Sequence, residues 1–92
     1  MTVKTYLGFD VGTKRTGIAI ANSLTAHASG IETILHNKDG STNWTQIEQS
    51  VSKHQPHKFI VGLPLDNDNK EQEMTFIARS FGKKLEQRFN IE

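Results

Sequence analysis

The sequence predicts a small α/β domain whose elements follow the order β-β-β-α-β-α. Three observations predict this class: early segments alternate between apolar and small or polar residues, a later apolar run is typical of a buried strand, and two segments repeat apolar residues at helical spacing. Short connections join the first three strands, so we expect an antiparallel meander. The chain shows no repeat, linker or low-complexity segment, and we expect a single domain over residues 1–92.

The first three strands are placed by alternation. In the strand at residues 3–10, the side chains of one face alternate with those of the other: Leu7, Phe9 and Val11 against Tyr6, Gly8 and Asp10. A second strand is expected at about residues 16–22, with Ile18 and Ile20 on one face and small residues on the other. A third strand is expected at about residues 30–35.

The later elements follow from caps, breakers and apolar spacing. Asn43 is a candidate N-cap with Gln46 at the capping-box position, and Pro56 ends the helix that follows. The apolar run 59–61 predicts a strand covered on both faces. An amphipathic helix completes the order, and its apolar positions are Met74, Ile77, Ala78, Phe81, Leu85 and Phe89.

Composition excludes several classes of function. The absence of cysteine excludes disulfides and thiolate metal sites and fits a reducing cytoplasm, where we expect the protein to act. No apolar stretch approaches the ~18 residues of a membrane span, so we expect no membrane partner. A formal net charge of +1 does not indicate a strongly basic domain that binds nucleic acid through charge alone, and any such binding must use local patches.

Two spaced motifs carry the most information. The first strand runs into a glycine-rich turn, Phe9-Asp10-Val11-Gly12-Thr13-Lys14-Arg15-Thr16-Gly17-Ile18-Ala19, and the apolar run continues as Val61-Gly62-Leu63-Pro64-Leu65. Together with Asp68-Asn69-Lys70-Glu71-Gln72, they resemble the YqgF/RuvX family, a branch of the ribonuclease H-like nucleases. The resemblance spans essentially the whole chain.

The resemblance implies an incomplete ribonuclease H-like fold, in which the first strand lies parallel to strand 59–61 and the family's last strand and helix are missing. It also implies a metal-dependent endonuclease that hydrolyses structured nucleic acid, either at the 5′ end of pre-16S rRNA or at Holliday junctions. Asp10 would then be the catalytic residue and a ligand of Mg²⁺ or Mn²⁺, since such ions prefer carboxylate oxygens. The implied substrate-binding positions beside it are Gly12, Thr13, Lys14, Arg15, Gly62 and Pro64.

Simpler interpretations of these residues stay open. An aspartate before Val-Gly also starts turns, and Gly12 and Gly17 are expected to supply positive φ to the hairpin. The basic pair Lys14 and Arg15 is equally typical of a solvated turn. Asp66 and Asp68 follow the strand beside Asp10, but an Asp/Asn loop is more typical of a surface turn than of metal ligands.

The family's later acidic motifs have no counterpart before Glu92, so the resemblance implies that this chain alone is weakly active or inactive. Strand 59–61 would also present an open edge, which predicts self-association; a monodisperse monomer in solution would contradict that prediction.

Two other functions remain open. The Asp-x-Gly-Thr turn is shared with actin-like and sugar-kinase ATPases, where the turn binds phosphate. A non-catalytic module that binds nucleic acid or protein is the third hypothesis.

Overall fold

A computed structural model of the chain describes residues 3–24, 28–64, 68 and 70–89. Within these ranges the elements follow the predicted order: β1 Thr5–Val11, β2 Arg15–Asn22, β3 Ser29–Leu35, α1 Trp44–His54, β4 Lys58–Val61 and α2 Glu73–Phe89. The predicted α/β class is confirmed, and the four-stranded mixed sheet with two helices matches an incomplete ribonuclease H-like fold.

Strands β1 to β3 form the predicted antiparallel meander. Residue pairing between β1 and β2 runs from Thr5 opposite Asn22 to Val11 opposite Thr16. Strand β2 pairs with β3 as well, with an irregularity at Ile18 and Ala19. The single tight connection between β1 and β2 therefore holds the end of β1 next to the start of β2.

Strand β4 lies parallel to β1, as the family resemblance implied, with Phe9 opposite Val61. The strand order is β3-β2-β1-β4, so β4 is an edge of the described sheet. Parallel pairing brings the carboxyl ends of β1 and β4 together, and ligands of open α/β sheets commonly bind at such ends. Self-association through the β4 edge stays a prediction.

The hydrophobic core lies between one face of the sheet and both helices. Its buried residues come from β1–β3, α1 and α2: Leu7, Phe9, Val11, Ile18, Ile34, Ile47, Val51, Ala78, Phe81 and Leu85. The expectation that strand 59–61 is covered on both faces is wrong, because Ile60 is 57% exposed. Both described helices pack on the side of Phe59 and Val61, and the other face of β4 has no such cover within the described ranges.

Helix α1 begins and ends as predicted. The Asn43 side chain accepts a hydrogen bond from the backbone N–H of Gln46 at 3.2 Å, which satisfies one of the free N–H groups of the first turn. The Gln46 side chain also bonds back to the cap, but its amide oxygen accepts from the side-chain amide of Asn43 at 3.3 Å instead of from the Asn43 backbone N–H, and its amide nitrogen donates to Glu32 on β3 at 2.9 Å. After His54 the chain turns at Gln55, which has a φ of 45° and precedes Pro56.

Helix α2 differs from its predicted apolar stripe at one turn. Ile77 is 41% exposed, whereas Thr75 is fully buried. Thr75 is tolerated there because its hydroxyl accepts a hydrogen bond from the Gln72 backbone N–H at 3.0 Å and donates one to the carbonyl of Pro64. A polar residue thus fixes the start of α2 to the segment that follows β4.

Aromatic packing joins the two helices. The ring of Trp44 stacks on Phe81 with centroids 5.2 Å apart, and the guanidinium of Arg88 lies 4.5 Å from the centre of the Trp44 ring. Arg88 also forms an ion pair with Glu48 at 3.4 Å. Trp44 is therefore a packing anchor rather than a free surface for base stacking. No helix within the described ranges is long and apolar enough to cross a membrane.

Candidate active site at the carboxyl end of β1

Asp10 lies near the carboxyl end of β1 and points away from the helices. Its neighbours Phe9 and Val11 are buried in the core, so strand alternation places the Asp10 side chain on the opposite, open face. Asp10 is exposed, and its carboxylate has no hydrogen bond or ion pair with another described residue. Both carboxylate oxygens are therefore available to a ligand from solvent.

Small residues surround Asp10 and form a shallow basin of about 390 Å³ on this face. Gly17 lies opposite Asp10 on β2, and a Cβ added to Gly17 would come within 3.9 Å of the Asp10 Cβ. On the other side, Gly62 follows β4 and its backbone N–H donates to the carbonyl of Phe9 at 3.1 Å. The lack of side chains at these glycines leaves room for a backbone or phosphate to approach the carboxylate.

The turn after Asp10 has a steric requirement for glycine at position 12. Neither Gly12 nor Gly17 has a positive φ, so that expectation is wrong; Gly40 is the glycine with positive φ among the described residues. A Cβ added to Gly12 would instead lie 2.8 Å from the carbonyl oxygen of Arg15. The same carbonyl accepts the Gly12 N–H at 2.9 Å, so the tight turn itself excludes a side chain there.

The two basic residues of the turn have different positions. Alternation along β2 places Arg15 on the same face as Gly17, and hence on the face of Asp10. Both basic side chains are exposed, and neither forms an ion pair within the described part of the chain. Lys14 is held through its backbone, because its carbonyl accepts the N–H of His36 at 3.0 Å. Arg15 is thus the cation best placed to meet a phosphate on the open face.

Gly12, Thr13 and Pro64 are predicted binding residues that are not grouped with Asp10. Gly12 and Thr13 line a separate cavity on the helix side of the sheet. Pro64 is exposed, and the contact that the structure gives it is the carbonyl that anchors Thr75 at the start of α2. The structure therefore brings Asp10, Arg15 and Gly62 to one face, while Thr13 faces the other and Pro64 has a structural contact.

The described residues supply few metal ligands. They contain no group of three or more His, Cys, Asp or Glu side chains that could hold an ion. Asp68 is exposed and belongs to no such group, and Asp66 lies outside the described residues. The exposed carboxylate of Asp10 fits a hard divalent cation as one ligand, but the remaining ligands are not among the described residues.

Some residues of the basin were not predicted from the sequence as part of the site. Ile60 forms one wall, and Thr33 lines it from β3, opposite Gly17. Their positions depend on strand register, which alternation within a single strand does not reveal. The signal that could have found Ile60 is the parallel pairing of Gly8 with Ile60, which places both beside Asp10.

Comparison with known proteins identifies the family of the chain. The sequence profile of the RuvX family, described as Holliday junction resolvase, matches residues 4–92. The chain belongs to the RuvX family. It is 42% identical over 92 residues to a protein of Shewanella oneidensis and 45% identical over 89 residues to one of Aeromonas salmonicida. A protein of Saccharophagus degradans is 43% identical over 91 residues.

Each of these RuvX relatives bears the name "Putative pre-16S rRNA nuclease". The alignments cover 100%, 97% and 99% of this chain, but 64%, 63% and 63% of the respective relatives. The chain therefore spans less than two thirds of their length. The family is therefore established over almost all of this chain.

Proposed function

We propose that this RuvX-family chain carries part of the active site of a cytoplasmic, metal-dependent endonuclease that acts on the 5′ end of pre-16S rRNA. The observation that carries the proposal is the position of Asp10, an exposed carboxylate that has no partner among the described residues and lies at the adjoining carboxyl ends of two parallel strands. The names of the relatives favour ribosomal RNA as substrate. The family description favours a branched DNA junction instead, and both substrates belong in the test.

In this proposal the open face of the sheet receives the substrate backbone. Gly17 and Gly62 leave space on either side of Asp10, and Arg15 on the same face offers a guanidinium to a phosphate. Asp10 would be a ligand of Mg²⁺ or Mn²⁺. A bound ion of this kind activates water and stabilises the leaving oxygen in phosphodiester hydrolysis.

We further propose that the chain by itself cleaves weakly or not at all. One carboxylate does not fix the geometry that Mg²⁺ requires, and the described residues contain no cluster that completes it. The test of the site must therefore include a measurement that does not depend on turnover.

The first measurement is line broadening of backbone amide NMR signals by Mn²⁺. We expect broadening at Gly17 and Gly62, which flank Asp10, and loss of that broadening in Asp10→Asn. Glu86→Gln on α2 is the matched control, since it removes one exposed carboxylate outside the basin. Signals around Asp10 that stay sharp in the unmodified chain would refute the metal site.

The second measurement is cleavage of a pre-16S rRNA 5′-end substrate and of a four-way DNA junction, each with Mg²⁺ and with Mn²⁺. Any activity should fall at least about a hundredfold in Asp10→Asn, because even loss of an outer-shell partner of a metal ligand costs 10- to 100-fold. Activity that survives in Asp10→Asn would exclude Asp10 as the catalytic ligand. Cleavage of one substrate alone would decide between RNA and DNA.

A further inference from the structure

A second cavity lies on the helix side of the sheet, between the β1–β2 turn, the loop that follows β3, and α2. Its volume is about 450 Å³, which lies within the range of small-molecule sites. The wall of α2 contributes Phe76, Ser80 and Lys84, and the turn and loops contribute Thr13, His36 and Thr42. Nothing in the proposed cleavage at Asp10 uses this cavity.

The lining has the chemistry of a nucleotide site. It offers one ammonium group and three hydroxyls, and none of the described residues that line it is acidic. Phe76 is 56% exposed, so a face of its ring is accessible to a stacking partner. His36 also lines the cavity, but its ring Nδ1 is buried and is not accessible to a ligand there. Cationic, hydroxyl and aromatic groups together suit a phosphate joined to a base.

The cavity is close to Asp10 along the chain but on the other face of the sheet. Val11 lines the cavity and directly follows Asp10, whose side chain points the opposite way. The turn between them and β2 is short, since the Gly12 N–H bonds to the Arg15 carbonyl at 2.9 Å. A nucleic-acid strand that passes over the end of β1 can therefore meet both sites.

We propose that this helix-side cavity binds an unpaired nucleotide of the substrate strand next to the phosphodiester that lies at Asp10. The base stacks on Phe76, and its phosphate is bound by Lys84 with the hydroxyl of Thr13. A paired base would not be free to enter, so the site selects strands with an unpaired nucleotide near the cut. This inference rests on the proposed nuclease function, because it takes a nucleic-acid strand as the ligand.

The test measures how tightly a short labelled single-stranded RNA binds to the full chain. Fluorescence anisotropy gives the binding constant at several salt concentrations, without divalent ions. A DNA strand of the same sequence and the fully paired RNA duplex serve as competitors. The variants are Lys84→Gln and Phe76→Ala. The matched controls lie outside the cavity lining. Lys83→Gln, at the residue that precedes Lys84 on α2, is the control for Lys84→Gln, and Leu24→Ala, at another exposed apolar residue, is the control for Phe76→Ala.

The two variants should weaken RNA binding in different ways. Loss of one phosphate contact in Lys84→Gln should reduce the slope of log K against log salt by about 0.7, the value for one contact to a single strand. Phe76→Ala should weaken binding about tenfold with an unchanged slope, because stacking is not a counterion effect. The control variants should match the unmodified chain, and thermal melts should show that all variants fold.

Several outcomes would overturn the inference. Equal losses in Lys83→Gln and Lys84→Gln would indicate general charge attraction, and unchanged binding in Phe76→Ala would exclude stacking there. Tighter binding of the duplex would exclude an unpaired nucleotide. If the RNA does not bind at all, the cavity is not a nucleotide site, while the metal and cleavage measurements at Asp10 still decide the nuclease proposal separately.

Discussion

Replacement of Gly12 by alanine should destabilise the protein through one defined contact. The added Cβ would lie 2.8 Å from the carbonyl oxygen of Arg15, closer than real Cβ atoms approach a neighbouring atom. That carbonyl also accepts the Gly12 N–H at 2.9 Å. The turn can relieve the overlap only by opening, and opening weakens this hydrogen bond.

The magnitude follows from these two effects. Overpacking costs about 1–3 kcal/mol, and a weakened hydrogen bond adds about 0.5–1.5 kcal/mol. Replacing glycine also restricts the unfolded chain, which offsets about 0.4–1 kcal/mol. We therefore expect the free energy of unfolding to fall by about 2 kcal/mol. For a domain of this size that change lowers Tm by roughly 8–16 °C.

The assay is urea unfolding followed by circular dichroism, together with thermal melts, and Gly30→Ala is the control. A Cβ added to Gly30 meets no atom within 4 Å, so this variant should be as stable as the unmodified chain or more stable by up to about 1 kcal/mol, because replacing glycine restricts the unfolded chain here too. The urea m-value should be unchanged in both variants, since the surface exposed on unfolding is the same. Equal stability of Gly12→Ala and Gly30→Ala would refute the steric account of the turn.

Two further predictions concern the loop between β3 and α1. Asn43→Ala should lower the free energy of unfolding by about 1 kcal/mol in the same urea assay, because it removes the N-cap bond to Gln46; an unchanged midpoint would show that the cap does not stabilise α1. The pKa of Asp39 is held below its ordinary value because the Ser41 hydroxyl and backbone N–H both donate to its carboxylate. Stability from this contact is therefore present above the unfolded-state pKa and is lost as the pH falls through the lowered folded-state pKa. Ser41→Ala should raise the pKa of Asp39 toward its ordinary value, measured by NMR titration of the carboxyl carbon, and no movement would contradict this assignment.

The element order and the core face of the sheet could be predicted from the sequence because they depend on local patterns. Alternation in β1 separates the buried Leu7 and Phe9 from the exposed Asp10, and the structure keeps that separation. The cap at Asn43 and the stop before Pro56 are also local, since each depends on residues within one turn. These features need no knowledge of what the segment packs against.

The features that the sequence did not predict depend on packing partners. Apolar spacing cannot tell whether Ile60 and Ile77 face a neighbour, and both are exposed because the described helices and strands pack on their other sides. Thr75 is buried although it is polar, because its hydroxyl finds partners in Gln72 and Pro64. The requirement for glycine at position 12 likewise comes from an atom three residues away in a folded turn, rather than from a positive φ.

The end of β1 links the two sites proposed here, and this link has a mechanical consequence. Asp10 faces the open side of the sheet, and Val11 lines the helix-side cavity. The hydrogen-bonded turn at Gly12 holds the start of β2 beside these two residues of β1. An opened turn moves Thr13 on one face and Arg15 on the other, because both belong to the same few residues of backbone. A change in this turn should therefore alter phosphate contacts at both sites together, whereas substitutions at Lys84 or Phe76 alter only the cavity. Coupling of this kind requires no long-range pathway, since a single hydrogen-bonded turn belongs to both sites.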